Sequence, residues 1–343
     1  MILIPFQLKK RRLKAPLLFS KKCGIIWGFG VGGVLPAISM KNLLVTKLYS
    51  RLGLKYVPHG GAEFNIGVEH GPDAVLAPLF LETLKQLGVV DIFTHTFPNP
   101  DRVSKSDYYA VIAKESDSTA SEIGARLNSK KYSGLITVGG DHSIAFASTL
   151  AVLRFFKGKK VGIIDFDSHG DIHLTHTSPS GNFHGMWLRP FLEHFDNNEI
   201  TKVVDVVVPA QHVLYIGNLL LEDEEAQFIR KNKITVFDSQ QCSQNDSLTQ
   251  KKIAEFCKKF DYIHVSFDID VFKEEIVHAT GTPNPQGFNS DEIMECIETI
   301  IQSRKLFSLD IVEVNPEKEG SLGTIKTAQE VITAFLPGFT EGV

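Results

Sequence analysis

The sequence contains few cysteines, and its first 62 residues contain no acidic side chain. The four cysteines are Cys23, Cys242, Cys257 and Cys296. They are far apart and form no Cys-x-x-Cys pair, which argues against a disulfide framework and against a thiolate metal site. This cysteine usage fits a reducing compartment, and we therefore expect a cytoplasmic protein.

The sequence also lacks a long hydrophobic run. Its most apolar N-terminal stretch, residues 24–38, holds five glycines, and it is shorter than the roughly 20 apolar residues that a membrane-spanning helix needs. We therefore expect no stable membrane insertion. Residues 1–45 are basic and free of acid, which indicates a poorly ordered extension, an organellar (mitochondrial-type) targeting segment, or sequence upstream of a natural start at Met40. Residues 46–343 are predicted to form a single domain.

Charge is distributed unevenly along the chain. Residues 1–62 carry 11 Lys or Arg, so the remaining 281 residues hold 25 basic and 40 acidic side chains, a net charge of −15. An acidic body of this kind argues against nucleic acid as a partner and suits a cationic substrate.

Short apolar or β-branched runs alternate with helical periodicity from about Leu54 onward. The predicted strands are 54–57, 135–138, 161–166, 212–216, 234–237, 262–267 and 306–314. The predicted helices are 72–87, 118–127, 144–156, 222–231, 247–260, 291–303 and 328–336. This alternation, with strands apolar on both faces, predicts an α/β fold with three αβα layers around a central, mostly parallel sheet.

Three short runs rich in Asp and His end or directly follow predicted strands. They are residues 139–143 (Gly-Gly-Asp-His-Ser), 167–171 (Asp-Ser-His-Gly-Asp) and 266–270 (Ser-Phe-Asp-Ile-Asp). Together they offer six metal ligands, which are His142, Asp167, His169, Asp171, Asp268 and Asp270. Four carboxylates and two imidazoles exceed what one divalent ion needs, whereas carboxylates shared between two ions would use them all.

Spacing and fold bring these ligands together. The ligands of the 167–171 run are two residues apart, which puts their side chains on one side of an extended strand end. The two ligands of the 266–270 run have the same spacing and also lie on one side. The carboxyl ends of parallel strands meet at one edge of the sheet. Each run alone is more often a turn, a cap or a solvated loop, but three runs that end three strands of one sheet indicate a two-metal site.

With these runs, residues 54–340 resemble the ureohydrolases, the family of arginase, agmatinase and formimidoylglutamase. The resemblance also includes residues 67–72 (Gly-Val-Glu-His-Gly-Pro), 180–186 (Ser-Gly-Asn-Phe-His-Gly-Met), 279–283 (Ala-Thr-Gly-Thr-Pro) and 313–316 (Glu-Val-Asn-Pro). It implies a catalytic domain that hydrolyses small guanidino or amidino substrates, arginine to ornithine and urea first among them. It also implies assembly as a homo-trimer or homo-hexamer.

The same resemblance implies two Mn²⁺ ions per chain, bridged by a hydroxide that attacks the substrate. One ion would be held by His142, Asp167, Asp171 and Asp268, and the other by His169, Asp167, Asp268 and Asp270. Asp167 and Asp268 would thus bridge the ions. Oxygen-rich ligands with a few imidazoles suit Mn²⁺ over Zn²⁺, and two such ions supply hydroxide at neutral pH by lowering the pKa of a shared water.

Three further residues are candidates for catalysis. By the resemblance, His184 is a proton shuttle to the leaving amine, since histidine titrates near neutrality. Glu313 lies at the end of a predicted strand and can pair with a planar guanidinium group. Asp141 stands beside a predicted ligand and is a candidate for orienting the site. Without their motifs, His184 is more simply a rim histidine and Glu313 a surface carboxylate.

The predicted substrate pocket departs from the family pattern. Ser180 and Asn182 resemble the arginase residues that bind the substrate's α-carboxylate, and Thr282 lies in a further family run that we assign to the substrate. His173, however, stands where arginase has an asparagine, and Glu222 replaces an aspartate that meets the α-amino group. Agmatinase, guanidinobutyrase or formimidoylglutamase activity is therefore the alternative. A different two-metal hydrolase, or a non-catalytic binding or regulatory relative, is the alternative from another class.

Overall fold

The structure is a computed structural model that describes residues 42–54, 65–86, 88–244 and 246–339. The strands in these ranges are β1 (Leu43–Tyr49), β2 (Val89–Thr96), β3 (Gly134–Gly139), β4 (Val161–Phe166), β5 (Val213–Ile216), β6 (Thr235–Phe237), β7 (Tyr262–Asp268) and β8 (Leu306–Val312). They form one sheet in the order β2-β1-β3-β8-β7-β4-β5-β6, and every neighbouring pair is parallel.

Helices cover both faces of this sheet. In the described ranges they are α1 (Gly71–Val75), α2 (Pro78–Gln86), α3 (Tyr108–Ser129), α4 (Ile144–Phe155), α5 (Asn198–Val203), α6 (Asp223–Asn232), α7 (Ser239–Gln244), α8 (Asp246–Lys258), α9 (Ser290–Gln302) and α10 (Ser321–Phe335). None of these described helices is both long and apolar enough to cross a membrane.

Successive side chains of each strand point to opposite faces of the sheet, so the protein has one hydrophobic core on each face. Leu135 and Ile163 face a core shared with α3 and α4, whereas Ile136 and Ile164 face a core shared with α8, α9 and α10. A parallel sheet needs this cover on both faces, because its strands are apolar on both sides. The prediction of a three-layer α/β fold is therefore confirmed.

The prediction for the first strand is wrong. Leu54 ends a 3₁₀ turn, and residues 55–57 of the predicted strand lie outside the described residues. The first strand is instead β1, which begins at Leu43, three residues before the predicted domain start. Lys47 explains the error: its stem is buried within the strand, and its ammonium group reaches Asp73 at 2.8 Å. The rest of the predicted extension, residues 1–41, lies outside the described residues.

Two other elements differ from the prediction. The helix predicted at 72–87 is two helices, α1 and α2, because Pro78 has no backbone N–H and its ring crowds the preceding turn. β2 escapes prediction because polar residues interrupt its apolar pattern. One of them is His95, whose Nε2 lies 3.2 Å from Glu115 Oε2 on α3. The remaining predicted elements overlap the observed ones, although α3 and α10 begin well before their predicted starts.

Candidate metal centre and active site

The candidate functional side chains lie at the carboxyl edge of the four central strands. β3, β8, β7 and β4 are neighbours there. His142 follows β3 and Glu313 follows β8, while Asp167 follows β4 directly and Asp268 ends β7. The turn after β3 requires Gly140, because a Cβ at this position would collide with the backbone that follows β1. The sheet thus brings three ligand runs and Glu313 to one place.

Four of the predicted ligands form a group around His142. Its Nδ1 lies 3.0 Å from Asp171 Oδ2, 3.1 Å from Asp167 Oδ2 and 3.3 Å from Asp268 Oδ2. Its Nε2 lies 2.9 Å from Ser266 Oγ. When Nε2 donates to that hydroxyl, Nδ1 keeps its lone pair toward the carboxylates, which is the tautomer that a metal ligand needs.

A second group forms around His169. Its Nδ1 lies 3.3 Å from Asp167 Oδ1 and 3.3 Å from Asp270 Oδ2. Asp167 therefore directs Oδ2 toward His142 and Oδ1 toward His169. A carboxylate with one oxygen in each group can serve two neighbouring ions. All six predicted ligands lie together, in two groups that share Asp167.

These two groups fit divalent cations. His142 Nδ1 and Asp167 Oδ2 are buried and form no hydrogen bond within the described part of the chain, although they face each other at 3.1 Å. Burial, followed by the charges of Asp270 and Asp167, raises the pKa of Asp268 well above its ordinary value. A cation between the groups would give these atoms a partner and stabilise the ionised carboxylates. Imidazole nitrogen and carboxylate oxygen are donors that first-row divalent metals accept.

Glu313 lies beside the metal groups, held at both carboxylate oxygens. Its Oε1 accepts the backbone N–H of His142 at 2.8 Å, and its Oε2 accepts a hydrogen bond from Asn65 Nδ2 at 2.7 Å. Burial, followed by the charge of Asp141, raises the pKa of Glu313 to about 8. A cationic ligand at this carboxylate is therefore favoured, since it stabilises the ionised form.

His184 faces the pocket next to Glu313. Its Nδ1 lies 3.9 Å from Glu313 Oε1, and a quarter of its side chain (25%) is exposed. Burial, followed by the imidazoles of His169 and His142, lowers the pKa of His184, so its ring is neutral at pH 7. A neutral imidazole has one donor and one acceptor nitrogen and can pass a proton between two partners.

Asp141 lies behind the pocket. Its Oδ2 accepts hydrogen bonds from Ser50 Oγ at 2.9 Å and the Gly53 N–H at 3.3 Å, and its Oδ1 accepts the Ser143 N–H at 2.9 Å. These bonds tie the turn that carries His142 to the segment after β1. We therefore expect Asp141 to act on the position of this turn and not on the substrate.

The metal groups open into a pocket with a cavity volume of about 240 Å³. Predicted residues that line it are His173, Ser180, Asn182, His184, Glu222, Thr282 and Glu313. Thr282 Oγ1 donates to Asp270 Oδ2 at 2.7 Å, and His173 Nε2 lies 3.1 Å from Glu222 Oε2. The structure therefore brings the predicted substrate residues to the same cavity as the predicted metal ligands.

Comparison with known protein families matches residues 52–337 to the arginase family. The chain belongs to the arginase family. The arginase of Entamoeba histolytica is 30% identical over 273 residues, which cover 77% of this chain and 90% of that protein. The arginase of Staphylococcus aureus (strain COL) is 28% identical over 285 residues, which cover 79% of this chain and 91% of that protein.

Solved structures of this family share the fold. A crystal structure of the Entamoeba histolytica arginase in complex with L-ornithine matches with a TM-score of 0.75 at 24% identity, covering 86% of this chain and 98% of that one. The formimidoylglutamase of Bacillus subtilis matches with a TM-score of 0.64 at 20% identity, covering 87% of each chain. The predicted resemblance is confirmed, and the chain is a hydrolase of carbon–nitrogen bonds in linear amidines.

Glu225 lines the pocket of this arginase-family chain but was not among the residues that the sequence predicts. Its side chain is buried, with Oε2 3.5 Å from His173 Nε2 and Oε1 accepting the Ile172 N–H at 3.3 Å. With Glu222 it forms the capping box that begins α6. The sequence signal for this capping box was a glutamate three residues after the N-cap residue. That signal does not indicate a buried pocket residue, because acidic side chains in the first turn of a helix are ordinarily exposed to solvent.

Replacing Glu225 by glutamine should flatten the pH dependence of stability. Burial, followed by the hydrogen bond with Glu222, raises the pKa of Glu225 from 4.5 to about 9. Folding therefore takes up a proton between these values, so the free energy of unfolding falls as pH rises from about 4.5 to about 9. The slope from this group is at most about 1.4 kcal/mol per pH unit.

Urea unfolding at pH 6 and pH 8.5, at one fixed manganese concentration, measures this difference. Asp223→Asn is the matched control, since Asp223 is exposed on the same turn of α6, and it should keep the wild-type slope. An unchanged slope in Glu225→Gln would contradict a protonated Glu225.

Proposed function

We propose that this chain is a manganese-dependent arginase that hydrolyses L-arginine to L-ornithine and urea. The observation that carries the proposal is Asp167, which directs one oxygen to each of two histidine-centred groups beside the buried Glu313. Hydrolysis of arginine requires two metal sites that share a ligand, and a carboxylate that can pair with a guanidinium group. Family membership supports the same reaction class.

Two Mn²⁺ ions per chain would occupy the two groups. One would be held by His142, Asp167, Asp171 and Asp268, and the other by His169, Asp167, Asp268 and Asp270. When bound, the ions would lower the pKa of water at the site and supply hydroxide near neutral pH. This supply matters because a guanidinium carbon is resonance-stabilised and a poor electrophile.

Glu313 would bind and orient the guanidinium group. Within the described ranges, each of its oxygens accepts one hydrogen bond, which leaves a second acceptor site on each oxygen. A planar guanidinium can donate two parallel N–H groups to these sites. His184, 3.9 Å away, would give a proton to the amine that leaves when the carbon–nitrogen bond breaks.

The other end of the pocket would bind the amino-acid part of the substrate. Ser180 Oγ accepts the Asn182 N–H at 3.2 Å, which fixes the loop that would meet the α-carboxylate. Glu222 is half exposed toward the pocket and would meet the α-ammonium group, with His173 at 3.1 Å. A hydroxyl and an amide suit an anionic group, and a carboxylate suits a cationic one.

We expect kcat/KM for L-arginine to exceed that for agmatine by at least about 10²-fold, because agmatine lacks the α-carboxylate that Ser180 and Asn182 would bind. The measurement is urea release from arginine, agmatine, guanidinobutyrate and formimidoylglutamate (formamide for the last) at one pH with Mn²⁺ present. Ser180→Ala should narrow the ratio of arginine to agmatine. A higher kcat/KM for one of the other substrates would contradict arginase activity and leave the wider hydrolase class intact.

A further inference from the structure

We propose that Asn65 is a positioning residue that aims Glu313 at the guanidinium group of the substrate. The inference rests on the proposed function, in which Glu313 receives that group. Asn65 lies 248 residues before Glu313 in the chain, and its side-chain amide donates to Glu313 Oε2 at 2.7 Å.

The orientation of the Asn65 amide is fixed by its other contacts. Its side chain is buried, and its Oδ1 accepts a hydrogen bond from Asn315 Nδ2 at 2.7 Å. Asn315 Nδ2 also donates to the Ile66 carbonyl at 2.8 Å. Since the oxygen of the Asn65 amide faces a donor, its NH₂ group faces the carboxylate. The network therefore holds a donor, and not an acceptor, against Glu313.

The backbone around this contact is shaped for it. Asn65 has a left-handed conformation, with φ 52°, which asparagine adopts more readily than most residues. A Cβ at Gly281 would lie 2.9 Å from Asn65 Nδ2 and 3.4 Å from Glu313 Oε2. The pair thus packs closely against the backbone of the loop that carries Thr282, which lines the pocket.

A neutral donor suits a carboxylate that must bind a cation. The His142 N–H and the Asn65 amide each hold one oxygen of Glu313, which fixes the plane of the carboxylate. Neither donor carries a charge, so the negative charge of Glu313 stays available to the guanidinium. A cationic side chain at position 65 would compete with the substrate for the same carboxylate.

Two substitutions test the role of Asn65. Asn65→Gly removes the amide and suits the positive φ. Asn65→Asp keeps the shape, also tolerates this φ, and replaces the donor by an acceptor. We expect kcat/KM for arginine to fall about 10- to 100-fold in Asn65→Gly, with the larger part in KM, and further in Asn65→Asp. Manganese content should stay at the wild-type level.

Inhibition by ornithine separates positioning from general damage, because ornithine lacks the guanidinium group. Its inhibition constant should stay within about twofold of wild type, since the contacts to its α-amino and α-carboxylate groups are unchanged. Lys233→Gly is the matched control: Lys233 also has a positive φ, of 54°, and is exposed at the end of α6. Lys233→Gly should change neither kcat/KM for arginine nor the inhibition constant of ornithine.

Wild-type kcat/KM in both Asn65 variants would overturn the inference. Equal losses for arginine and ornithine, together with a lower Tm, would assign Asn65 a structural role and overturn it as well. Absence of arginine hydrolysis by the wild-type protein would contradict the proposed function, and this inference with it.

Discussion

Replacing His184 by asparagine should lower kcat for arginine hydrolysis by about 10²–10⁴-fold while bound manganese stays at the wild-type level. His184 lines the pocket 3.9 Å from Glu313 and belongs to neither ligand group. Asparagine keeps a polar side chain but cannot pass a proton to the leaving amine. The measurement is kcat at saturating arginine, with metal content determined on the same preparation.

His194→Asn is the control for this substitution, because His194 is exposed and lies outside the pocket lining of the described residues. It should leave kcat unchanged. A His184→Asn protein that loses manganese would show that His184 is a ligand, and one with wild-type kcat would show that no proton passes through this imidazole.

Replacing Asp167 by alanine should remove both ions and reduce urea release below detection. Asp167 is the residue whose two oxygens reach different groups, at 3.1 Å from His142 Nδ1 and 3.3 Å from His169 Nδ1. Its loss leaves each group one ligand short and removes the carboxylate that lies between the imidazoles of His142 and His169. Manganese per chain, measured after dialysis against metal-free buffer, is the readout.

Asp171→Ala provides the comparison for Asp167→Ala. Asp171 Oδ2 lies 3.0 Å from His142 Nδ1 and belongs to that group. Its loss should weaken one ion and leave the other bound. If Asp167→Ala retains one ion at wild-type affinity, Asp167 does not bridge. If the two variants lose the same ions, the groups are not separate sites.

The metal groups could be predicted because their signal is local. Residues 167–171 and 266–270 each follow an apolar strand, and a spacing of two residues fixes the side of the chain on which their ligands lie. Parallel strands then bring separate runs to one edge, without any further information. The position of Glu313 at this edge could be predicted in the same way, because it directly follows the parallel strand β8.

Contacts between distant segments could not be predicted in this way. Asn65 reaches Glu313 across 248 residues, and a single asparagine in a loop carries no pattern that indicates such a contact. β1 was hidden by Lys47, whose charge is compensated by Asp73 only in the folded chain. In the sequence, Glu225 looks like an ordinary solvent-exposed residue of a helix N-terminus, and only the structure shows that it is buried. The trimeric or hexameric assembly and the cytoplasmic location stay predictions.

The most direct test of a metal-dependent arginase is urea release from L-arginine by metal-free protein titrated with Mn²⁺. The two ligand groups joined through Asp167 predict no urea without metal, and activity that rises with added Mn²⁺ and reaches its plateau at two ions per chain. Undiminished urea release after exhaustive chelation, or none at any Mn²⁺ concentration, would contradict the proposed function.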